Sequence, residues 1–410
     1  MRICFVTPSI FSYGGVQRVT AVVASYLSRH HDVTIVTYDD AEQKDTSFYG
    51  LNTTPITYRT VSYGRVPKLK RLCCKSYSWL FRHCLPTTPL TSRLYAHSSF
   101  PGEERRPLVN CLNEGHYDVI VGVHATISAR LGAMRSLFPR AILIGWIHNS
   151  YEALFGKGSH YIGPQLANYY AYQWGRLHHT IVLSRYDASL YQQLHHLSTT
   201  VIYNPLTLVP GGRAKGGTRR FLAIGRLSAG HKGFDLLIPA FRRLLDLRRE
   251  EEATDRTEET ALPWTLHIVG EGEEEAMMRQ LITENHLDEN VFIHHFTDDV
   301  TTYYQQADYY ILSSRWEGFG LVLVEAMAHA LPVISSTLPT SVEVMDNEAI
   351  YFPTGDIEGM AQAMLRATHA DWLKWSERSL QRSQLFAPEE IIAQWEQLIN
   401  LSSSIINNKI

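Results

Sequence analysis

Short apolar runs recur along the chain. Each breaks into a small or polar loop and is followed by apolar residues at helical spacing. Residues 3–7 open the series, then come a glycine-bearing loop and a helix with Val19, Val22, Val23 and Leu27 on one face. Residues 33–36 are the next run. Strand, helix, strand, with strands apolar throughout rather than alternating, predicts a parallel sheet covered by helices on both faces. Further strands are expected at 119–123, 141–146 and 180–183. Residues 204–219 are rich in glycine, proline and basic groups and read as a linker. A second series then begins at 221–224 and continues through 265–269, 291–294 and 309–312 to 333–335. The fold class is α/β, with two doubly wound halves and no further internal repeat. Residues 246–263 are charged and poorly apolar, and read as a solvated helix end and loop. A final helix near 388–401 carries Ile391, Ile392, Trp395 and Leu398.

Composition changes this picture little. A chain of 410 residues is long for one core and suits two domains of roughly 200 residues each. A net charge of −3 gives no bulk-charge case for nucleic acid binding, and none is expected. The five cysteines, Cys4, Cys73, Cys74, Cys84 and Cys111, are odd in number and lack metal-ligand spacing, so reduced cytosolic thiols are the default. Met1 leads directly into a strand pattern and no run of about 18 apolar residues occurs. A cytoplasmic protein without leader or transmembrane helix is expected.

The most informative stretch is 313–335. An apolar strand ends there in a loop holding Glu317, Gly318, Phe319 and Gly320. A helix follows, with Val324, Met327 and Ala328 at helical spacing, and Pro332 closes it. Glu317 is expected on the strand-to-helix loop and Glu325 near the first helical turn, both toward the carboxyl end of a parallel strand. Doubly wound sheets bind ligands there. A carboxylate accepts hydrogen bonds from vicinal hydroxyls, and loop amides beside glycines approach an anion or a hydroxyl closely. The plainer alternative is a solvated Glu317 and a Glu325 that offsets the helix dipole.

The stretch E-G-F-G-L-V-L-V-E-A-M-A, with its two glutamates eight positions apart, resembles the signature of the retaining glycosyltransferases of family 4. Other pieces match in order: Gly14-Gly15-Val16-Gln17-Arg18 after the first strand, Gly225-Arg226-Leu227 with Lys232-Gly233, and His267-Ile268-Val269-Gly270-Glu271-Gly272. The resemblance covers nearly the whole chain. It implies the GT-B fold: two Rossmann-like domains facing a deep cleft, with the last helix crossing back to the first domain. The domains are then 1–205 for the acceptor, 206–385 for the nucleotide sugar, and a returning helix over 386–410. It also implies a hexosyl transfer from a nucleotide sugar, UDP-linked, to a hydroxyl of a lipopolysaccharide, capsule or exopolysaccharide intermediate, presented on a lipid carrier.

The resemblance assigns roles by position. Arg226 and Lys232 clamp the diphosphate and stabilise the departing nucleotide, so no metal or other cofactor is required, and no Asp-x-Asp signature is apparent. Glu325 takes the ribose hydroxyls and Glu317 those of the donor sugar. Gly14 and Gly15 lie beside the diphosphate and the transferred sugar. The amides from Gly318 to Leu321 complete the contacts. His295 and Phe296 stand at a turn that reads the base, where the family more often has glycine. His124, at the tip of the strand over 119–123, matches the active-site histidine. His148, Asn149, Ser184 and Asn204 are candidates on the acceptor side.

Residues 59–82 interleave basic groups (Arg59, Arg65, Lys68, Lys70, Arg71, Lys75, Arg82) with Leu72, Tyr77, Trp79, Leu80 and Phe81. Such a segment either docks on anionic lipid headgroups at the inner membrane face or is a solvated helix with buried aromatics. Two rival functions stay open. A nucleotide-sugar epimerase of the same fold would need no acceptor. A binding subunit without catalysis would keep Glu325 and the cationic pair. Glycogen-type phosphorylases are far longer.

Overall fold

A computed structural model describes residues 1–39, 45–159, 161–254, 262–297 and 299–407. The chain divides into two compact units, 1–207 together with 388–410, and 208–387.

The first unit is built on seven strands: β1 (Arg2–Thr7), β2 (Asp32–Thr37), β3 (Thr57–Thr60), β4 (Val119–Val123), β5 (Ile142–Trp146), β6 (His179–Val182) and β7 (Thr200–Val201). Their order is β3-β2-β1-β4-β5-β6-β7 and every pairing is parallel. β4 and β5 are buried at every position, which is why they read as continuous apolar runs. The sequence pattern missed β3 and β7. Thr-Tyr-Arg-Thr and Thr-Val are short, part-exposed edge segments, and their pairing partner makes them strands.

The last helix, Pro388–Asn407, belongs to this unit. Trp395 is fully buried, with ring centroids 6.2 Å from Phe5 on β1 and 4.8 Å from Trp146 on β5. Glu396 pairs with His31 at 2.9 Å, Glu389 accepts from the Tyr26 hydroxyl at 3.1 Å, and Ser402 meets His179 at 2.7 Å. The expected apolar stripe is therefore the contact face.

The second unit holds six parallel strands: β8 (Arg220–Ile224), β9 (Thr265–Val269), β10 (Val291–His294), β11 (Tyr309–Leu312), β12 (Val333–Ser336) and β13 (Ala349–Phe352). Their order is β10-β9-β8-β11-β12-β13. The latter part of the expected linker is already folded into this unit. The Ala214 amide donates to the His329 carbonyl at 2.9 Å, and Thr218 donates twice to Asp308. A helix spans Phe234–Thr254. The charged stretch expected to be solvated therefore starts as helix, and its portion 255–261 lies outside the described residues.

Both sheets reverse their strand order once, between β1 and β4 in the first unit and between β8 and β11 in the second. At such a point the connections leave toward opposite faces and open a crevice beyond the carboxyl ends of the strands.

Candidate functional site

In the second unit the residues after β8 and β11 are stitched together. Ser313 Oγ donates to the Lys232 carbonyl at 2.7 Å, and the Arg315 amide donates to the His231 carbonyl at 2.8 Å. Gly233 makes this approach possible. Its φ is +68°, and a Cβ there would stand 2.2 Å from the Ser313 carbonyl oxygen. Any other residue would lose both the turn and the contact. Arg315 holds Asp235 through two bonds of 2.8 Å, bracing the same junction.

This frame sets Lys232 against Glu317. Lys232 Nζ donates to Glu317 Oε1 at 2.6 Å, and Ser314 Oγ donates to the same oxygen at 2.6 Å. The two charged side chains are only 13% and 9% exposed. Burial by itself would raise the Glu317 carboxyl. The Lys232 charge and the hydrogen bonds outweigh it and hold the group below its ordinary value. Glu317 is thus an ionised acceptor rather than a solvated loop residue. A lysine ammonium has three donors, so Lys232 keeps two beyond this pair. Arg226, on the loop after β8, is exposed.

Glu325 lies just past the first turn of its helix. The helix runs Leu321–Ala328, so Glu325 is its fifth residue, in the second turn, and the dipole alternative does not apply. It is 2% exposed, and Tyr304 donates its hydroxyl to Oε2 at 2.9 Å. Tyr304 is itself stacked on His329 at 4.8 Å. Gly320 has φ +82° at the helix entry, and Phe319 is buried edge-on against Phe386 at 5.8 Å. Phe319 therefore anchors the loop by its side chain. Gly318 and Leu321 are partly buried beside it. His295 and Phe296 are exposed just past β10.

In the first unit, His124 follows β4 directly and has φ +75°, a strained value for a residue with a Cβ. Such strain persists where neighbours impose it, and it gathers at functional positions. Here the His124 amide donates to the Trp146 carbonyl at 3.0 Å, and its carbonyl accepts from the Ser128 amide and hydroxyl. Burial pushes the His124 imidazole down to about 4, so it is neutral at pH 7. His148 lies 5.8 Å away, ring centroid to ring centroid. It is buried, neither ring nitrogen has a hydrogen-bond partner among the described residues, and burial and then His124 hold it well below its ordinary value. Asn204 is also buried, with Oδ1 unpartnered among the described residues. Asn149 is partly buried after β5.

Two of the candidate residues have partners within the protein. Ser184 is 1% exposed and caps the helix Arg185–His195. It accepts from the Asp187 amide at 3.0 Å and donates to that carboxylate at 2.6 Å. Its one donor and one of its two lone pairs are thus used within the cap. The Gly14 amide, expected to meet a phosphate, donates to the Tyr49 hydroxyl at 2.8 Å, and Tyr49 donates to the Ser12 carbonyl at 2.9 Å. Gly15 is exposed as the first residue of its helix. Tyr49, Tyr304, Ser314 and His231 escaped the sequence reading because their partners are distant in sequence or, for Ser314 and His231, because no motif marks them.

The second unit thus carries a buried lysine–glutamate pair at the switch point of its sheet, where doubly wound α/β proteins bind their ligands. The family model for Glycosyltransferase Family 4 matches residues 13–208, and that for Glycosyl transferases group 1 matches 218–369. Together they cover most of the chain, which belongs to the group 1, family 4 glycosyltransferases. It is similar to an uncharacterized glycosyltransferase of Haemophilus influenzae, 27% identical over 226 residues, 53% of this chain and 60% of that one. It is also similar to the amylovoran biosynthesis glycosyltransferase AmsD of Erwinia amylovora, 28% identical over 184 residues, 44% and 48% of the two chains. The aligned part thus spans about half of these relatives' lengths. The fold matches Anabaena HepE in complex with UDP and glucose, with TM-score 0.69 and 18% identity over 98% of this chain and 99% of that one. It also matches the lipopolysaccharide outer core galactosyltransferase WaaB, with TM-score 0.66 and 16% identity over 98% and 100%. The architecture is GT-B.

Proposed function

We propose that this chain is a retaining glycosyltransferase. It moves a hexosyl unit from a UDP-sugar to a hydroxyl of a lipopolysaccharide, capsule or exopolysaccharide intermediate. The observation that carries the reading is the second switch point, where Lys232 pairs with the ionised Glu317 at the ends of β8 and β11, with Arg226 exposed on the loop after β8. Support for the donor comes from the HepE neighbour, which holds UDP and glucose. Support for the product comes from AmsD and from the O-antigen biosynthesis glycosyltransferase WclY of Escherichia coli, 32% identical over 85 residues.

In this reading Glu317 accepts from sugar hydroxyls and Glu325 from the ribose. Arg226 and the two remaining Lys232 donors take the diphosphate. Glu317 is committed to binding, so a front-face displacement is the retaining route. The bond from the anomeric carbon to phosphate breaks, the acceptor oxygen bonds on the same face, and the acceptor proton passes to the leaving phosphate oxygen. The cations stabilise that phosphate as charge develops. His124 and His148, neutral at pH 7, serve as hydrogen-bonding rather than charged groups toward substrate. No metal takes part in this scheme.

The test is a chromatographic assay of the purified protein with a panel of nucleotide sugars, with and without lipid-linked acceptor extract and chelator. One UDP-sugar is expected to release UDP only with acceptor and equally with chelator, and Glu325→Ala is expected to abolish release. Conversion without acceptor would make it an epimerase. Binding without consumption would make it a silent subunit.

The acceptor's lipid carrier bears on the segment over 59–82. Helix Lys68–His83 buries Phe81 and packs against helix Pro89–Ser99, with Phe81 stacked on Tyr95 at 4.4 Å. Leu69, Leu72 and Trp79 stay exposed at 76%, 62% and 59%. At about 100° per residue they share one arc with Leu80, and Lys68, Arg71, Lys75 and Arg82 form the adjoining one. An outward apolar stripe beside a basic one suits an anionic membrane surface. Part of the charge is answered within the protein, since Lys70 pairs with Glu103 at 2.7 Å and Arg71 lies 3.9 Å from Glu104. The apolar stripe must then supply much of the affinity. The protein is expected to co-sediment with vesicles containing anionic phospholipid, and Trp79→Ala with Leu72→Ser to lower the bound fraction several-fold. Equal sedimentation of wild type and variant would remove this surface from the reading.

A further inference from the structure

His231 is the residue of the donor site that the family motifs leave unassigned. It directly precedes Lys232, and its ring lies flat on the Trp316 indole, with centroids 3.6 Å apart and planes 8° off parallel. This stack fixes the imidazole in one orientation. A hydrogen bond to the Trp316 backbone favours a ring proton, as donation to a carbonyl does. Nε2 is buried without a hydrogen-bond partner among the described residues, so that bond uses Nδ1. In the neutral ring Nε2 is then an acceptor. It lies 3.9 Å from Glu317 Oε1. Burial, then Lys232, push the imidazole down to about 4, so the ring is neutral at pH 7 and that separation is not an ion pair.

A buried acceptor with no partner, held rigid beside a carboxylate, is costly unless a ligand satisfies it. Two adjacent acceptors suit two adjacent donors, the vicinal hydroxyls of a hexose. We propose that His231 contacts the donor sugar and sets its specificity, accepting through Nε2 from the ring hydroxyl next to the one that Glu317 holds. This deepens the glycosyltransferase reading and rests on it. The substrate class is a nucleotide hexose with both hydroxyls free. A sugar deoxygenated at the His231 position leaves Nε2 orphaned and is rejected.

The experiment measures equilibrium binding of UDP, the preferred UDP-hexose and its monodeoxy analogues to wild type, His231→Phe and His231→Gln, with turnover followed in parallel. Phenylalanine keeps the stack on Trp316 and removes the acceptor, whereas glutamine restores an acceptor. Wild type is expected to discriminate against deoxygenation at two neighbouring ring positions by about tenfold or more each. In His231→Phe one of these discriminations disappears and the other, through Glu317, persists. The affinity for UDP itself stays within about twofold. His231→Gln recovers part of the lost discrimination. The inference is overturned if His231→Phe leaves both discriminations intact, or weakens UDP and every sugar alike. Binding and turnover separate the two ideas. Discrimination that His231→Phe erases, in a protein that turns over no sugar, would keep the His231 contact and sink the transferase reading.

Discussion

Lys232→Ala lowers kcat of sugar transfer by about 10²–10³-fold, the size of effect seen when one charge-stabilising donor is removed from a developing anion. The same variant is less stable, because Glu317 stays buried and ionised without its cation. Breaking one half of a buried pair costs about 3–5 kcal/mol. The two losses separate with a second variant. Lys232→Met paired with Glu317→Leu removes both charges, so stability recovers while activity does not. Urea titration reads the first and initial rates at saturating donor read the second. Activity within tenfold of wild type in Lys232→Ala would remove the lysine from the reaction. The pH dependence has a fixed sign. Glu317 is held below its ordinary value in the folded protein. Its contribution is therefore complete above the unfolded glutamate value, about 4.3, and is lost as pH falls through the lower folded value. The stability gap between wild type and Glu317→Gln should close over that acid range and stay constant above it.

Trp395→Ala destabilises the first unit by about 3–5 kcal/mol. The indole is fully buried between Phe5 and Trp146, whose strands are central in the sheet, and no smaller side chain fills that space. The loss is read from the denaturation transition that the substitution moves. Chymotrypsin should also cut the variant's last helix sooner, since exposed Leu401 and the Leu398 beside it lie on the tail that Trp395 anchors. A loss below about 1 kcal/mol would mean that polar contacts such as Glu396 with His31, rather than the tryptophan, hold the helix.

The central strands were legible because each is buried on both faces, so apolar runs at 119–123 or 309–312 need no partner information to be recognised. Of the edge strands only β10, over 291–294, was legible; β3, β7 and β13 were not. β3 and β7 carry little apolar signal, and only pairing with β2 and β6 makes them strands. The same divide runs through the site. Glu317 on one loop, and Arg226 and Lys232 on another, stood out because each motif fixes residue type and spacing within its own loop. That Lys232 and Glu317 are hydrogen-bonded was not readable, since 85 residues separate them and only the β8–β11 switch point brings them together. The partners of Ser184 were not readable for a related reason. A serine after a strand fits a substrate loop or a helix cap equally well, and the answer depends on Asp187 turning back onto it.

By itself the sequence determined two doubly wound halves, a final amphipathic helix and the loops that carry charge, because periodicity, glycine placement and local motif are properties of short segments. Only the tertiary structure decided which charges are neutralised within the protein, which histidines are buried and neutral, and which polar atoms remain without a partner. Those depend on burial and on distances between residues far apart in the chain. Ionisation and unsatisfied hydrogen bonding follow from such surroundings and not from residue type.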